Sequence, residues 1–261
     1  MEIRLDGRAA IITGGSKGLG LATAKRFAEA GADVAILARR ADVLGEARAA
    51  LAATGRRIAA IPCDVATAEG VQRGFDGAMA ALGRIDIVVN NAGISQAHPF
   101  LTVTDEIWQA DLDLKLFAAI RLTRLAWPQM QERRWGRVIN VLNIGAKAPR
   151  PESAPTSVSR AAGMALMKVL AGEGARHNIL VNALLVGLIE SDQWVRRHAA
   201  QAAREDFGDF LRGMAVRANL PLGRMGRAEE FANVACFLAS DAGGYVTGTA
   251  INVDGGSSPV V

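Results

Sequence analysis

The sequence predicts an α/β fold in which a doubly wound sheet of about seven parallel strands is flanked by helices. Short runs rich in Val, Ile and Ala alternate with longer helix-like segments along the chain, a pattern typical of parallel sheets with helical crossovers. Most of the strand-like runs are apolar without alternation, as expected of strands buried on both faces. The 261 residues contain no linker or internal repeat, so we expect a single domain over 1–261.

Each element follows from a local pattern. The predicted strands, of which the first six are continuously apolar, are 8–14, 32–39, 57–65, 85–93, 136–144, 179–187 and 250–256. Gly31 marks a helix end between the first two strands. The region of about 190–220 is helical in character and follows the carboxyl end of a strand, where ligands bind in such folds. It is a candidate substrate lid, and a plain surface excursion is the alternative.

Composition excludes several classes of function. The formal charge is +4 and the pI about 9.5, but the basic residues are spread along the chain, so we expect an anionic ligand and no nucleic acid. No apolar run approaches the length of a membrane span, and no signal segment precedes the first strand. Cys63 and Cys236 are predicted to be buried in a reducing, cytoplasmic compartment. No metal site is expected, because the histidines are scattered: His98, His177 and His198.

The segment TGGSKGLG at 13–20 lies between the first strand and a helix. Glycines let the backbone approach a pyrophosphate, and the free N–H groups at the helix start favour its negative charge. The preceding strand and following helix supply the context that such a motif requires. The sequence therefore predicts a Rossmann-type dinucleotide site that includes Gly14, Ser16, Lys17, Gly18, Leu19 and Gly20.

Further motifs follow in order: CDV at 63–65, NNAG at 90–93, VNALLVG at 181–187 and TGTAINVDGG at 247–256. Together with the glycine turn, they resemble the short-chain dehydrogenase/reductase family over nearly the whole chain. The resemblance implies an oxidoreductase that acts on an alcohol/carbonyl pair of a small molecule with a nicotinamide cofactor. It also implies a homo-oligomer, a tetramer or a dimer. Val186-Gly187 departs mildly from the family's usual Pro-Gly.

The resemblance also implies which residues contact the cofactor. Asp64 and Val65 would lie beside the adenine. The backbone near Ile189, together with Gly187 and Ser191, would meet the nicotinamide amide. The cleft would be lined by the NNAG motif, which consists of Asn90, Asn91, Ala92 and Gly93.

The end of the second strand predicts the cofactor type. An NAD-selective enzyme places an acidic residue there to bind the ribose hydroxyls, whereas this strand ends in AILARR. Ala38 leaves room for a 2′-phosphate, and Arg39, Arg40 and Lys17 supply positive charge that can bind it. NADP(H) is therefore expected over NAD(H). The alternative is that the two arginines are only a solvated helix start.

The family's catalytic set is an asparagine, a serine, and a tyrosine and lysine one turn apart, with the tyrosine as acid or base. By spacing, these positions hold Lys115, Asn143, Thr156 and Arg160. The sequence contains one tyrosine, Tyr245, in the C-terminal segment that the family uses structurally. No tyrosine is available for the reaction.

Two interpretations remain open. A threonine hydroxyl cannot replace a phenol as proton donor without an activating base, which favours an inactive NADP(H)-binding protein that acts as a sensor or assembly partner. Against this, Asn143 can hydrogen-bond a carbonyl, Arg160 can hold ribose hydroxyls with a fixed charge, and Thr156 can orient either. A further alternative keeps the fold for non-redox chemistry such as elimination.

Lys115 is the most informative of the four. If 104–127 is helical, Lys115 lies in an apolar stripe with Trp108, Leu112, Ala119 and Leu122. A buried ammonium must be paired or lose its proton, and Asp111 and Asp113 are near enough to pair with it. The competing hypothesis is that Lys115 points into the cleft, with its pKa lowered by Arg160 and partial burial, and donates the proton that tyrosine would supply.

The candidate lid carries an aromatic residue and several cations. They would suit a substrate with a carboxylate or phosphate, and a solvated helix face explains them equally well. These residues are Trp194, Arg196, Arg197 and Arg204.

Overall fold

The computed structural model describes residues 3–200 and 206–261, with the backbone alone at 192, 193 and 196. Its main sheet has seven strands in the order β3-β2-β1-β4-β6-β8-β9, all parallel. A separate antiparallel pair joins β5 to β7. The strands are β1 (Ala9–Thr13), β2 (Asp33–Ala38), β3 (Ile58–Pro62), β4 (Ile87–Asn90), β5 (Ala97–His98), β6 (Gly136–Asn143), β7 (Ala154–Pro155), β8 (Ile179–Val186) and β9 (Ala250–Val253).

The helices cover both faces of the main sheet, as a doubly wound fold requires. They are α1 (Gly18–Glu29), α2 (Ala41–Ala52), α3 (Ala68–Leu82), α4 (Asp105–Leu112), α5 (Ala118–Arg133), α6 (Thr156–Gly174), α7 (Asp192–Ala200), α8 (Phe207–Arg217) and α9 (Ala228–Ala239). The predicted fold class is confirmed.

Alternate strand residues face two separate cores. Ile12 packs with Phe27 of α1 and Phe231 of α9 on one face. Ile11 packs with Leu122 of α5 and Met167 of α6 on the other. The strand order reverses between β1 and β4, and ligands of open α/β sheets bind at the carboxyl edge beside such a switch.

Strand β3 departs from the expectation of burial on both faces. Its residues are only half-buried, and Pro62 is exposed. The strand lies at one edge of the sheet, where no neighbouring strand covers its outer side. Continuous apolar character does not separate an edge strand from a central one.

The expected helix over 104–127 forms with an interruption. Helix α4 passes into a π-helical turn at Asp113–Phe117, and α5 then continues to Arg133. The buried face of this segment carries Asp111, Lys115 and Leu122, whereas Leu112 is only half-buried. The apolar stripe assumed from regular helical spacing is therefore corrected: an aspartate, and not Leu112, precedes Lys115 on the buried face.

The candidate lid region contains α7 and α8. Residues 201–205, Arg204 among them, lie outside the described residues. These helices have a small core of their own, built from Trp194, Phe210, Leu211, Ala215, Leu220 and Met225. In the described part of the chain, no helix combines the length and apolar composition needed to cross a bilayer.

Candidate active site

The glycine turn lies at the carboxyl end of β1, and α1 begins at Gly18 without a side chain capping its N-terminus. Its conformation requires small residues. Gly14 and Gly18 both have positive φ, 65° and 54°, and a Cβ at Gly20 would lie 2.2 Å from the Gly14 carbonyl oxygen. Ser16 and Leu19 are half-buried beside the turn. The turn thus presents backbone N–H groups to an anion at the edge of the sheet.

The NNAG motif braces this turn. Asn91 Nδ2 donates to the carbonyl oxygens of Thr13 and Gly14, at 2.9 and 3.2 Å. The backbone N–H groups of Asn91 and Ala92 both donate to Thr13 Oγ1 at 2.9 Å. These bonds join the ends of β1 and β4, so Asn91 holds the shape of the turn.

Asn90, the first residue of the motif, has its side chain inside the fold. Its side chain is buried, and its Nδ2 donates to Asn140 Oδ1 at 2.8 Å and to Thr123 Oγ1 at 3.2 Å. This position ties β4 to β6 and α5. The Asn90 side chain therefore braces the interior, because its donor is already engaged within the protein, and the expected place of Asn90 in the cofactor cleft stays a prediction.

At the end of β3, Asp64 is half-buried and its carboxylate accepts a hydrogen bond from the Ala66 backbone N–H at 3.0 Å. Val65 is buried beside it. The pair lies in the loop before α3, at the carboxyl edge that carries the glycine turn.

The end of β2 is open and basic. Arg39 and Arg40 are exposed, and within the described residues neither forms an ion pair or a side-chain hydrogen bond. Lys17 is exposed at the start of α1. No acidic residue occupies the strand end, and Asp42, in the first turn of α2, is the nearest acid in sequence. This region is suited to an added negative charge.

The loop after β8 closes the other side of the cleft. A Cβ at Gly187 would lie 2.6 Å from Asp254 Cα, so the chain fits there only with glycine. Ile189 is buried and pairs with Gly226. Ser191 Cβ lies 3.7 Å from the position that a Cβ would take at Gly18. The structure therefore brings Ser191 against the glycine turn.

Lys115 lies in a buried hydrogen-bonded network. Its ammonium forms an ion pair with Asp111 and donates to Thr156 Oγ1 at 2.8 Å. Neither Lys115 nor Asp111 has any exposed side-chain surface (0%). The second Asp111 oxygen accepts from Ser159 Oγ at 2.6 Å. Asp113, the other candidate partner, pairs with Arg121 instead.

Arg160 borders the same network one turn after Thr156. It is half-buried, and its Nη1 donates to the Val141 carbonyl oxygen at 2.7 Å. A Cβ at Gly93 would lie 2.4 Å from Arg160 Nη2 and 3.6 Å from Lys115 Cγ. Gly93 thus leaves the space in which these two cationic side chains approach each other. Arg160 Nε is buried without a hydrogen-bond partner among the described residues.

The electrostatics of the two cations follow from their burial. Burial lowers the pKa of Lys115, the hydrogen bond and charge of Asp111 raise it, and Arg160 lowers it further. The expected direction is confirmed, although burial is the main cause and Arg160 the smaller one. Burial also lowers the pKa of Arg160 to about 10, against the opposing charge of Asp111.

Asn143 and Tyr245 lie in different surroundings. Asn143 ends β6, and its Oδ1 is buried without a partner in the described part of the chain. Tyr245 is fully exposed beyond α9. A tyrosine hydroxyl is therefore absent from the network that joins Lys115, Thr156 and Asp111.

Two residues of this network, Ser159 and Gln96, carry no signal in the sequence. Asp111 was visible as a possible i,i+4 partner of Lys115, but its second bond, to Ser159, joins residues 48 positions apart. Nothing in the sequence indicates Ser159. Gln96 was also missed, and its backbone N–H donates to Thr156 Oγ1 at 2.9 Å.

Two of the lid residues contact each other. The Arg197 guanidinium lies 5.4 Å from the centre of the Trp194 ring. A cleft of about 450 Å³ under α8 is lined by Glu190, Gly208, Leu211, Arg212, Arg224, Met225 and Arg227. Arg224 is held by Glu230 and Arg212 by Asp209, so these cations already have acidic partners.

The residues present fit a nicotinamide dinucleotide. The uncapped start of α1 beside the tight glycine turn suits a pyrophosphate. At the other end, the unpartnered Arg160 Nε and Asn143 Oδ1 are buried polar atoms that lack a bond within the protein. Gly14, Gly93 and Arg160 would hold the group between these ends.

Comparison with known proteins agrees with this arrangement. A family model described as enoyl-(acyl carrier protein) reductase matches residues 14–258. Dehydrogenase/reductase SDR family member 4 of Bos taurus is 33% identical over 257 residues, covering 97% of this chain and 88% of that protein. The chain belongs to the short-chain dehydrogenase/reductase family. As a member, it is an oxidoreductase of the alcohol/carbonyl type with a nicotinamide cofactor.

Two solved structures of the family are similar over their whole length. L-Sorbose reductase from Gluconobacter frateurii, in complex with NADPH and L-sorbose, has a TM-score of 0.94 and 35% identity, covering 100% of both chains. An NADPH-bound short-chain oxidoreductase from Pseudomonas aeruginosa PAO1, described as containing an atypical catalytic center, has a TM-score of 0.92 and 37% identity, covering 99% of both chains.

Proposed function

We propose that this short-chain dehydrogenase/reductase is an NADP(H)-dependent enzyme whose proton donor is Lys115, acting through Thr156. The observation that carries the proposal is the 2.8 Å hydrogen bond from Lys115 Nζ to Thr156 Oγ1. Thr156 stands where the family carries its tyrosine, and the buried ammonium behind it is the activating group that a threonine needs. The atypical center described for the Pseudomonas relative supports a non-standard site.

The hydrogen bonds of Thr156 define its task. Its oxygen accepts from Lys115 Nζ at 2.8 Å and from the Gln96 backbone N–H at 2.9 Å. Both lone pairs are then in use, and in the described part of the chain its own O–H donates to no other group. That proton is available for a substrate oxygen.

The proton then moves in two linked transfers. When bound, the cofactor supplies or accepts the hydride. In reduction, Thr156 gives its proton to the substrate oxygen while Lys115 gives one of its three protons to Thr156 Oγ1. Lys115 is left neutral and, after the product leaves, regains a proton through the Thr156 hydroxyl, which takes one from the vacated cleft. Alcohol oxidation reverses each transfer, so Lys115 must then begin neutral.

The charges around Lys115 suit both directions. An efficient acid or base has a pKa near the working pH. Burial and Arg160 lower the pKa of Lys115 toward that range, while Asp111 limits the fall. Arg160 supplies fixed charge for the ribose hydroxyls, and Asn143 supplies an amide for the substrate oxygen.

The preference for NADP(H) rests on the end of β2. Arg39 is exposed and unpaired among the described residues, and no acidic side chain stands there to bind ribose hydroxyls. A charge-assisted bond to a 2′-phosphate satisfies this arrangement. The NADPH complexes of the two similar structures agree with this assignment.

Two expectations about assembly and substrate stay predictions. Exposed apolar side chains in the turn before α4 and on α6 are consistent with a homo-oligomer: Phe100, Leu101, Val158 and Val169. The helices α7 and α8 lie beyond the carboxyl end of β8, as a substrate lid would.

The test is NADPH absorbance over time with a panel of ketones, aldehydes, keto acids and ketoses that includes L-sorbose. Lys115→Met and Thr156→Val should each lower kcat by about 10²- to 10⁴-fold, with NADPH affinity unchanged and folding confirmed by circular dichroism. Thr156→Ser keeps the hydroxyl and should retain most of the rate. Lys25→Met, on the exposed side of α1, is the control.

The outcomes separate the alternatives. Full activity in Lys115→Met would refute the proposed donor. If the wild-type protein binds NADPH but consumes none with any substrate, the silent cofactor-binding alternative replaces the proposal. Substrate conversion without net NADPH consumption would indicate elimination.

A further inference from the structure

Asp111 is the residue of the buried network that no part of the proposed proton transfer uses directly. It lies on α4, one turn before Lys115, and its side chain has no exposed surface. Each of its carboxylate oxygens has a different partner. One accepts from Lys115 Nζ, and the other accepts from Ser159 Oγ at 2.6 Å.

Burial of this carboxylate is costly unless both oxygens are bonded. Lys115 alone would satisfy only one of the two oxygens. Here Ser159, on α6, fixes the second oxygen, so the carboxylate cannot rotate about its own axis without losing a bond. Because Thr156 lies on the first turn of the same helix, α6 anchors both groups that contact Lys115 Nζ.

We propose that Asp111, held by Ser159, is the positioning residue that keeps Lys115 protonated and aimed at Thr156. This proposal rests on the proposed function of Lys115 and assigns the regulation of its charge. Within the described residues, the charged groups that face Lys115 are Asp111 on α4 and Arg160 on α6. Arg160 opposes the charge on Lys115, so Asp111 is the one group that favours it.

The proposal fixes the direction in which the pKa of Lys115 and the pH profile change when the Asp111 charge is removed. The Asp111 carboxylate raises the pKa of Lys115 against burial. Without that negative charge, Lys115 loses its proton at a lower pH. In reduction, where the donor must be protonated, activity would then fall off at lower pH. In alcohol oxidation, where Lys115 must be neutral, activity would persist to lower pH. A merely structural role for Asp111 predicts neither of these shifts to lower pH.

The first experiment measures Lys115 directly, without substrate. The sequence contains five lysines, Lys17, Lys25, Lys115, Lys147 and Lys168, so ¹⁵N-lysine labelling gives few side-chain Nζ signals, assigned with Lys115→Met. Asp111→Asn should lower the Lys115 titration midpoint by about 1–3 pH units. Asp113→Asn is the matched control, since Asp113 lies two residues further along and pairs with Arg121. It should leave the midpoint in place.

An unchanged midpoint in folded Asp111→Asn overturns the proposal. Should that variant not fold, Ser159→Ala provides the test, because it retains the carboxylate and removes one hydrogen bond. It should speed hydrogen exchange of the Lys115 ammonium by about 2- to 10-fold, and unchanged exchange overturns the proposal.

The second experiment is the pH profile of kcat in both directions for wild type, Asp111→Asn and Asp113→Asn, with NADPH affinity measured alongside. The fall of the reduction rate and the rise of the oxidation rate should both move to lower pH in Asp111→Asn alone. If no substrate is turned over by wild type, the proposed function fails, while the NMR titration still decides whether Asp111 sets the charge of Lys115.

Discussion

The two ends of the cofactor cleft hold their positive charges in different surroundings. At the end of β2, Arg39 and Arg40 stand in solvent and, among the described residues, have no acidic partner. Beside Gly93, Lys115 is buried and already paired with Asp111, and Arg160 is half-buried. Exposed cations can wait for a ligand because water solvates them, whereas buried cations need partners within the fold.

This difference separates binding from reaction. The exposed pair is free to meet a phosphate, but its charge is screened and each bond is of modest strength. The buried group is screened little, so a single neighbour can set its protonation. The exposed end is suited to select a cofactor, and the buried end to control a proton.

The largest expected effect tests the claim that the buried pair depends on both partners. Lys115→Met alone leaves Asp111 buried without its cation, and should lower the free energy of unfolding by about 3–5 kcal/mol. The double variant Asp111→Leu with Lys115→Met removes both charges and should recover most of that stability without recovering turnover. Urea denaturation of the three proteins measures this. Equal stability of the two variants would contradict the coupling of the pair.

The next effect tests the exposed end. Arg39→Ala removes a charge-assisted bond to the 2′-phosphate and should weaken NADPH binding by about 10- to 100-fold. NADH binding should change little, because NADH lacks that phosphate. Fluorescence titration with both cofactors measures the ratio, and Arg48→Ala, on α2, is the control. An equal loss for NADPH and NADH would show that Arg39 acts through the fold.

The smallest expected effect is the different response of the two ends to ionic strength. Raising the ionic strength from 0.05 to 0.5 M, roughly a threefold shortening of the screening length, should weaken NADPH binding more than NADH binding. The titration midpoint of Lys115 should stay in place, because its partners are enclosed with it. A midpoint that moves with salt as strongly as the NADPH affinity would show that water reaches the ammonium.

The part of this molecule that could be predicted from sequence is the part built from neighbours along the chain. Apolar runs predicted the seven strands of the main sheet, and local motifs predicted the glycine turn and the basic end of β2. The edge position of β3 could not be read, because apolar character alone does not reveal which strand lacks a neighbour. Regular helical spacing also missed the π-helical turn around Lys115.

The contacts of the buried network around Lys115 could not be predicted from local patterns, for a physical reason. Lys115 and Thr156 are 41 positions apart, and Asp111 and Ser159 are 48 apart. Their contacts depend on how α4 and α6 pack across the sheet edge, a property of the whole fold. The sequence indicated that Lys115 needed a partner, and only the structure shows that Asp111 is that partner and that Ser159 fixes it.

The contact between Lys115 and Thr156 also limits which side chains these two positions can hold together. The space beside Thr156 Oγ1 is filled by Lys115 Nζ at 2.8 Å and by the Gln96 backbone at 2.9 Å. A tyrosine ring introduced at 156 alone would begin at the same Cβ and meet that ammonium. Unless the ring turns away from the direction of Oγ1, position 115 must change with it, so the residues at 115 and 156 constrain each other.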